Sequence, residues 1–169
     1  MSVLVTPTID GLGSAASVVA VVDISTKIAS LLFQYTKEVK DAKEDIARVQ
    51  LQVENLRNTC DSVHQRLQGP NGKKLKASQK LLDALHHAYS QLKSLEQELS
   101  PEKGRKAMSR ISIRTLKWPF DSKDIEKTIK HLNACSQAIS LALQADQMYA
   151  ILLFSIPPRL TQLPIGPSY

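Results

Sequence analysis

The stretch IARVQLQVENLRNTCDSVHQRL, residues 46–67, decides the fold class. Ile46, Val49, Val53, Leu56, Cys60, Val63 and Leu67 recur at spacings of 3, 4, 3, 4, 3 and 4, with polar residues filling most of the gaps. An α-helix turns once in about 3.6 residues, so this spacing lays seven apolar side chains along one seam of a long helix. The run ends at Gly69-Pro70, a C-cap glycine followed by a residue that cannot continue a helix, and GPNG (69–72) reads as a turn. A seam of this kind is stable only when other elements cover it.

Downstream, Leu82, Leu85, Ala88, Leu92, Leu95 and Leu99 predict a second amphipathic helix that stops at Ser100-Pro101. Residues 101–120 are irregular and basic, and Trp118 precedes Pro119, which favours an extended backbone there. Asp121 is placed to cap a last long helix with Ile125, Ile129, Leu132, Cys135, Ile139 and Leu143 inward, running into YAILLFSIPP until Pro157 stops it. No segment alternates at period two for long enough to form a strand. The expectation is an all-α antiparallel bundle of four to five helices over residues 11–156. A loose arm precedes it at 1–10, and a Pro-rich tail follows at 157–169.

Upstream lies DGLGSAASVVAVVDISTKIASLLFQYT, residues 10–36. Gly11–Val22 is uncharged and apolar nearly all round, which predicts a helix buried on every side. Asp23 or Ser25 would then cap a second helix carrying Ile28, Leu31, Leu32 and Tyr35. Twelve residues make about 18 Å of helix against a bilayer core of about 30 Å. A full span would have to place Asp23 near its middle. The reading is a sequestered helix that enters a bilayer only if released.

The composition is that of a globular protein: 169 residues, 43% hydrophobic and 22% charged. The formal net charge of +6 permits an acidic partner such as anionic lipid. Nucleic acid is not expected, since no reading motif accompanies the charge. Cys60 and Cys135 are too few for a disulfide framework and, with no basic stretch at the N-terminus, suggest an intracellular setting.

The motifs that could carry chemistry are weak. Gly11-x-Gly13-x-x-Ala16 matches a loose dinucleotide fingerprint, but Pro7 interrupts the approach and no sheet follows; close helix packing explains the small residues better. GPNGKK has two residues between its glycines where a Walker A loop has four, and Lys74 stands in place of the hydroxyl residue. Cys60/His64 and His131/Cys135 are each spaced like zinc ligands, yet both cysteines lie on apolar seams, where a thiol packs as a small hydrophobe. No nucleophile–base–acid pattern stands out. The reading is a non-enzyme with no metal and no cofactor. The most distinctive charge feature is KGRKAMSRISIRTLK (103–117), which holds Lys103, Arg105, Lys106, Arg110, Arg114 and Lys117 and no acidic residue. It reads as a lipid-facing basic loop with Trp118 as interfacial aromatic, or as a solvated loop whose Ile111, Ile113, Leu116 and Trp118 plug the bundle, and the two readings are compatible.

Three stretches carry a resemblance: VVDISTKIASLLFQYTKEVKDAKEDI (21–46), LQGPNGKKLKASQ (67–79) and RTLKWPFDSKDIEKTI (114–129). Together they resemble the HeLo-like N-terminal domain of fungal NOD-like (NACHT) receptors, over about residues 11–150. LKWPF followed by acid-Ser-Lys, and the GPNG turn, are the most specific parts. The resemblance implies a helical bundle similar to the executioner domain of mixed-lineage kinase domain-like pseudokinases. It also implies self-association on activation, and cytoplasmic residence with conditional action at the plasma membrane in regulated cell death or incompatibility. It places Leu12, Val18, Val19, Val21 and Val22 on the membrane-active helix. Family receptors continue into a nucleotide-binding domain in cis; here LPIG (163–166) resembles the start of that linker and no Walker A motif follows, so the expectation is a stand-alone domain or a truncated gene. The alternative reading is a helical adaptor that binds partner helices without membrane contact.

Overall fold

The structure is a computed structural model and describes residues 13–70, 72–76, 78–100 and 116–156. Among the described residues five helices follow in order: α1 (Ser14–Glu38), α2 (Lys43–Leu67), the single-turn α3 (Gly72–Lys76), α4 (Gln79–Leu99) and α5 (Ser122–Ser155). Among the described residues there is no strand. The expected all-α helical bundle is the fold. The proposed arm and tail lie outside the described residues, as does the basic stretch up to Arg114.

Helix α2 forms as its spacing predicts, and all seven seam residues are buried. Glu44 and Asp45 in its first turn and His64 and Arg66 in its last match the helix dipole. Helix α1 packs on α2 and α4, and α5 packs on the same two from the other side. The four long helices therefore make a square, α1–α2–α5–α4. The Tyr35 hydroxyl donates to the Leu99 carbonyl at 3.0 Å, which brings the C-terminal ends of α1 and α4 together. At the same end Arg48 of α2 pairs with Glu126 of α5. At the opposite end the Ser14 hydroxyl donates to the Lys76 carbonyl at 3.3 Å, tying the start of α1 to α3. One pole of the bundle thus carries Trp118, and the other carries α3.

Several expectations need correcting. Residues 14–36 do not form two helices: α1 runs unbroken from Ser14 to Glu38, and Ser25 caps nothing. Its hydroxyl donates to the Val21 carbonyl one turn back at 2.7 Å, and Thr26, Ser30 and Thr36 do the same to their own i−4 carbonyls. A hydroxyl satisfied inside the helix has no need to end it. Nor is the first part of α1 buried on every side. Val18 and Val21 face the core, but Ala15 and Ala16 are exposed and Val19 is 47% exposed.

In α4 the buried seam starts at Leu81, not Leu82. Ser78 accepts from the Leu81 N–H at 3.3 Å and sets the phase, so Leu81, Leu85, Ala88, Leu92, Leu95 and Leu99 point inward while Leu82 sits on the flank. Helix α2 stops at Leu67 with Gln68 as its cap, whose N–H reaches the His64 carbonyl at 3.3 Å. Two residues after Pro70, α3 begins, a turn of helix that the sequence did not announce. Gly72 opens it because a Cβ there would collide with the Leu67 carbonyl.

Helix α5 starts as expected. The Asp121 carboxylate accepts from the N–H groups of Lys123 and Asp124, both at 2.8 Å, and Asp124 reaches back to the Asp121 N–H, completing a capping box. Ile125, Leu132, Cys135, Ile139 and Leu143 are buried; Ile129 is only half-buried.

Candidate functional site

Trp118 packs against the bundle. Its ring lies 5.4 Å from Tyr35 and 5.1 Å from Phe120, edge-on in both cases, and it is half-buried against the core. Leu116 and Phe120 pack with it. The WPF element is therefore a plug that closes one pole, as the solvated-loop reading expected of Leu116 and Trp118. Burial, and then the nearby Glu38 charge, push the Tyr35 phenol above its ordinary range. Of the predicted basic loop only Lys117 is described, and it is exposed; Lys103, Arg105, Lys106, Arg110 and Arg114 lie outside the described residues.

The residues assigned to a membrane-active helix divide. Val18 and Val21 are core, Val22 is half-buried against it, and Val19 alone points outward; Leu12 lies outside the described residues. Ser14 and Ser17 are buried beside them, and the Ser17 hydroxyl has no hydrogen-bond partner among the described residues. Presenting the whole valine face to another surface would require α1 to leave the bundle.

Cys60 and Cys135 are both buried, on α2 and α5, two helices that pack against each other. Burial pushes the Cys60 thiol up to about 12, with smaller contributions from Asp61 and Cys135, and burial also raises Cys135. Such thiols stay protonated at neutral pH and serve as packing atoms. His64 faces Gln68, at 3.0 Å, and His131 is exposed. Among the described residues no group of three His, Cys, Asp or Glu side chains is placed to hold a metal ion. A shallow, polar cleft lies between the end of α4 and the start of α5, lined by Gln91, Glu98, Asp124, Lys127 and His131, with no paired nucleophile and base.

Among the described residues, exposed large apolar side chains are densest elsewhere. Leu143 is the last residue of α5 to reach the core, yet the helix continues for twelve more residues, about 18 Å, to Ser155. Met148, Tyr149, Ile151, Leu152, Leu153, Phe154 and Ile156 are each 58–77% exposed. The sequence shows this run to be apolar, but a reading that follows one inward seam gives no reason to single it out. Its lack of any polar side is the signal that could have found it.

By length and composition two helices, Ser14–Glu38 and Ser122–Ser155, are long and apolar enough to cross a membrane. The bundle buries 39% of the most apolar window in the first and 22% in the second, and of the large apolar side chains of α1 only Val19 and Phe33 are exposed. Comparison with family models, curated proteins and solved structures gives no match.

Proposed function

We propose that the chain is a non-enzymatic effector or signalling module of the HeLo-like kind, acting by self-assembly and membrane association in regulated cell death or incompatibility. In this reading it resides in the cytoplasm and moves to the plasma membrane when triggered. The observation that supports it most is the exposed apolar surface on the last two turns of α5. Monomeric proteins in water seldom expose large contiguous apolar patches without a partner or a membrane to cover them. The net charge of +6 favours anionic surfaces over neutral ones.

The test is dye release from vesicles of phosphatidylcholine and phosphatidylserine in equal parts, with the full chain alone and fused to a forced oligomeriser. The expected result is release that rises with oligomerisation and falls as salt screens the charges. If the oligomerised chain neither binds nor permeabilises these vesicles, the membrane reading is wrong and the helical-adaptor reading takes its place.

A further inference from the structure

We infer that the α3 pole of the folded bundle is a lipid-docking surface, in which the protruding end of α5 inserts into one leaflet and the α2–α3–α4 connection binds anionic headgroups. The inference rests on the membrane reading above but assigns the contact to a different helix. It needs no unpacking of α1.

Three observations point to lipid over a protein partner. The first is the distribution of apolar side chains around the axis. At about 100° per residue, Met148, Tyr149, Ile151, Leu152, Leu153 and Ile156 spread over about 200° of the helix circumference, far wider than the stripe of an ordinary amphipathic helix. A groove in a partner covers one stripe of a helix; a hydrocarbon phase covers every side.

The second is length. The run from Met148 to the helix end at Ser155 rises about 12 Å, against about 15 Å for half a bilayer core. Tyr149 near its base sits where an amphipathic ring would meet the headgroup level.

The third is charge. Between residues 62 and 82 the charged side chains are Arg66, Lys73, Lys74, Lys76 and Lys80, five basic and none acidic. Arg66, Lys73, Lys76 and Lys80 are exposed. They cluster at the pole from which α5 protrudes, because α2 and α5 run parallel from the Arg48–Glu126 pair toward α3. Helix α3 touches α1 and α5 as well as α2. An apolar peg with a basic rim is the arrangement of an interfacial anchor on an anionic membrane.

The experiment is co-sedimentation of the full chain with vesicles of phosphatidylcholine and phosphatidylserine in equal parts, and with phosphatidylcholine alone. Leu152→Asp/Leu153→Asp should weaken binding to both by at least about tenfold, since two apolar groups inserted in hydrocarbon become charged. Both positions are more than half exposed, so the variant should melt as the wild type does. Lys73→Glu/Lys76→Glu/Lys80→Glu should lower binding to the anionic vesicles alone and flatten its salt dependence. Val19→Asp, on α1, should bind within about twofold of wild type, a change too small to mark an inserted side chain.

A second readout fixes orientation. Brominated lipid should quench a Leu153→Trp variant while leaving the native Trp118, at the opposite pole, unquenched. If Val19→Asp abolishes binding and Leu152→Asp/Leu153→Asp does not, the anchor is α1; this inference fails and the membrane reading stands. If the wild type binds neither vesicle even when forcibly oligomerised, both fail. If the wild type is a dimer that Leu152→Asp/Leu153→Asp makes monomeric, and neither form binds lipid, the α5 end is covered by a second copy and the inference is overturned.

Discussion

Helix α2 and the last two turns of α5 are both rich in large aliphatic side chains, and the bundle treats them in opposite ways. The seven apolar seam residues of α2 are 0–4% exposed. The large apolar residues of α5 from Met148 onward are all more than half exposed. The difference does not lie in hydrophobicity, since residues 148–156 have the higher density of it. It lies in periodicity and length. A 3–4 repeat gives α2 one face to bury, and α1 and α5, each at least as long as α2, cover it, while α1, α2 and α4 themselves have only 21–25 residues. A 34-residue helix among them must overhang, and its overhang carries no repeat. Burial is thus set by what the other helices can reach.

The largest expected effect tests the covered side. Leu56 is fully buried at the middle of α2, facing the other helices. Leu56→Ala should lower unfolding free energy by about 2–5 kcal/mol, from the lost transfer energy and the cavity left behind. Denaturant titration measures it. A loss below about 0.5 kcal/mol would place Leu56 outside the load of the core and undo the contrast with α5.

The start of α5 gives a smaller effect from a different source. Asp121 is exposed and makes no core contact of note, but it accepts two backbone N–H groups that otherwise have no partner within the helix. Asp121→Ala should cost about 0.5–2 kcal/mol, and Asp121→Asn appreciably less, because the amide oxygen still accepts. Equal losses for the two would mean that the cap is idle and that α5 is held only by its packing.

These elements also show what could be read before the fold was known. The α2 seam and the Asp121 cap were legible because each depends on neighbours a few residues away. The break expected at Asp23 or Ser25 failed because Ser25 had two satisfying arrangements, a cap or a bond to Val21, and spacing alone does not choose. Leu81 and Leu82 are adjacent and chemically identical, so only the cap at Ser78 sets which one turns inward. The exposed end of α5 was the hardest case. Its composition was plain, but its exposure depends on the lengths of three other helices. The role of Trp118 as a plug rested on a contact with Tyr35, 83 residues away in sequence.

The covered side should also show a pH dependence that the overhang lacks. Folding raises the Cys60 thiol from its ordinary 9.0 to about 12, so the folded state prefers the protonated form. That preference costs nothing below the ordinary thiol value, where both states hold the proton. Above it the unfolded chain releases a proton that the folded chain retains, and stability falls as pH rises toward 12. Cys135 and Tyr35, both raised, act in the same direction. The melting temperature should therefore fall on moving from neutral pH to above pH 9.0, and Cys60→Ala, though less stable throughout, should show a shallower decline. An identical slope in both would mean that Cys60 is not the group losing its proton.

The smallest effect is the most discriminating. Leu152→Ala deletes the same atoms as Leu56→Ala, from a side chain that is 58% exposed on a helix segment beyond the core. Nothing in the bundle closes over it, so its removal leaves no cavity, and the apolar surface lost was already largely in water. Alanine is also the strongest helix former, which offsets part of any lost local contact. The expected change is within about ±0.5 kcal/mol. Measured in the same titration as Leu56→Ala, it isolates the effect of place from that of chemistry. A loss of about 2 kcal/mol or more would mean that the α5 end is covered in solution, either by the chain itself or by a second copy. Repeating the titration over a range of protein concentrations separates these two, because only a covering copy makes the midpoint move with concentration.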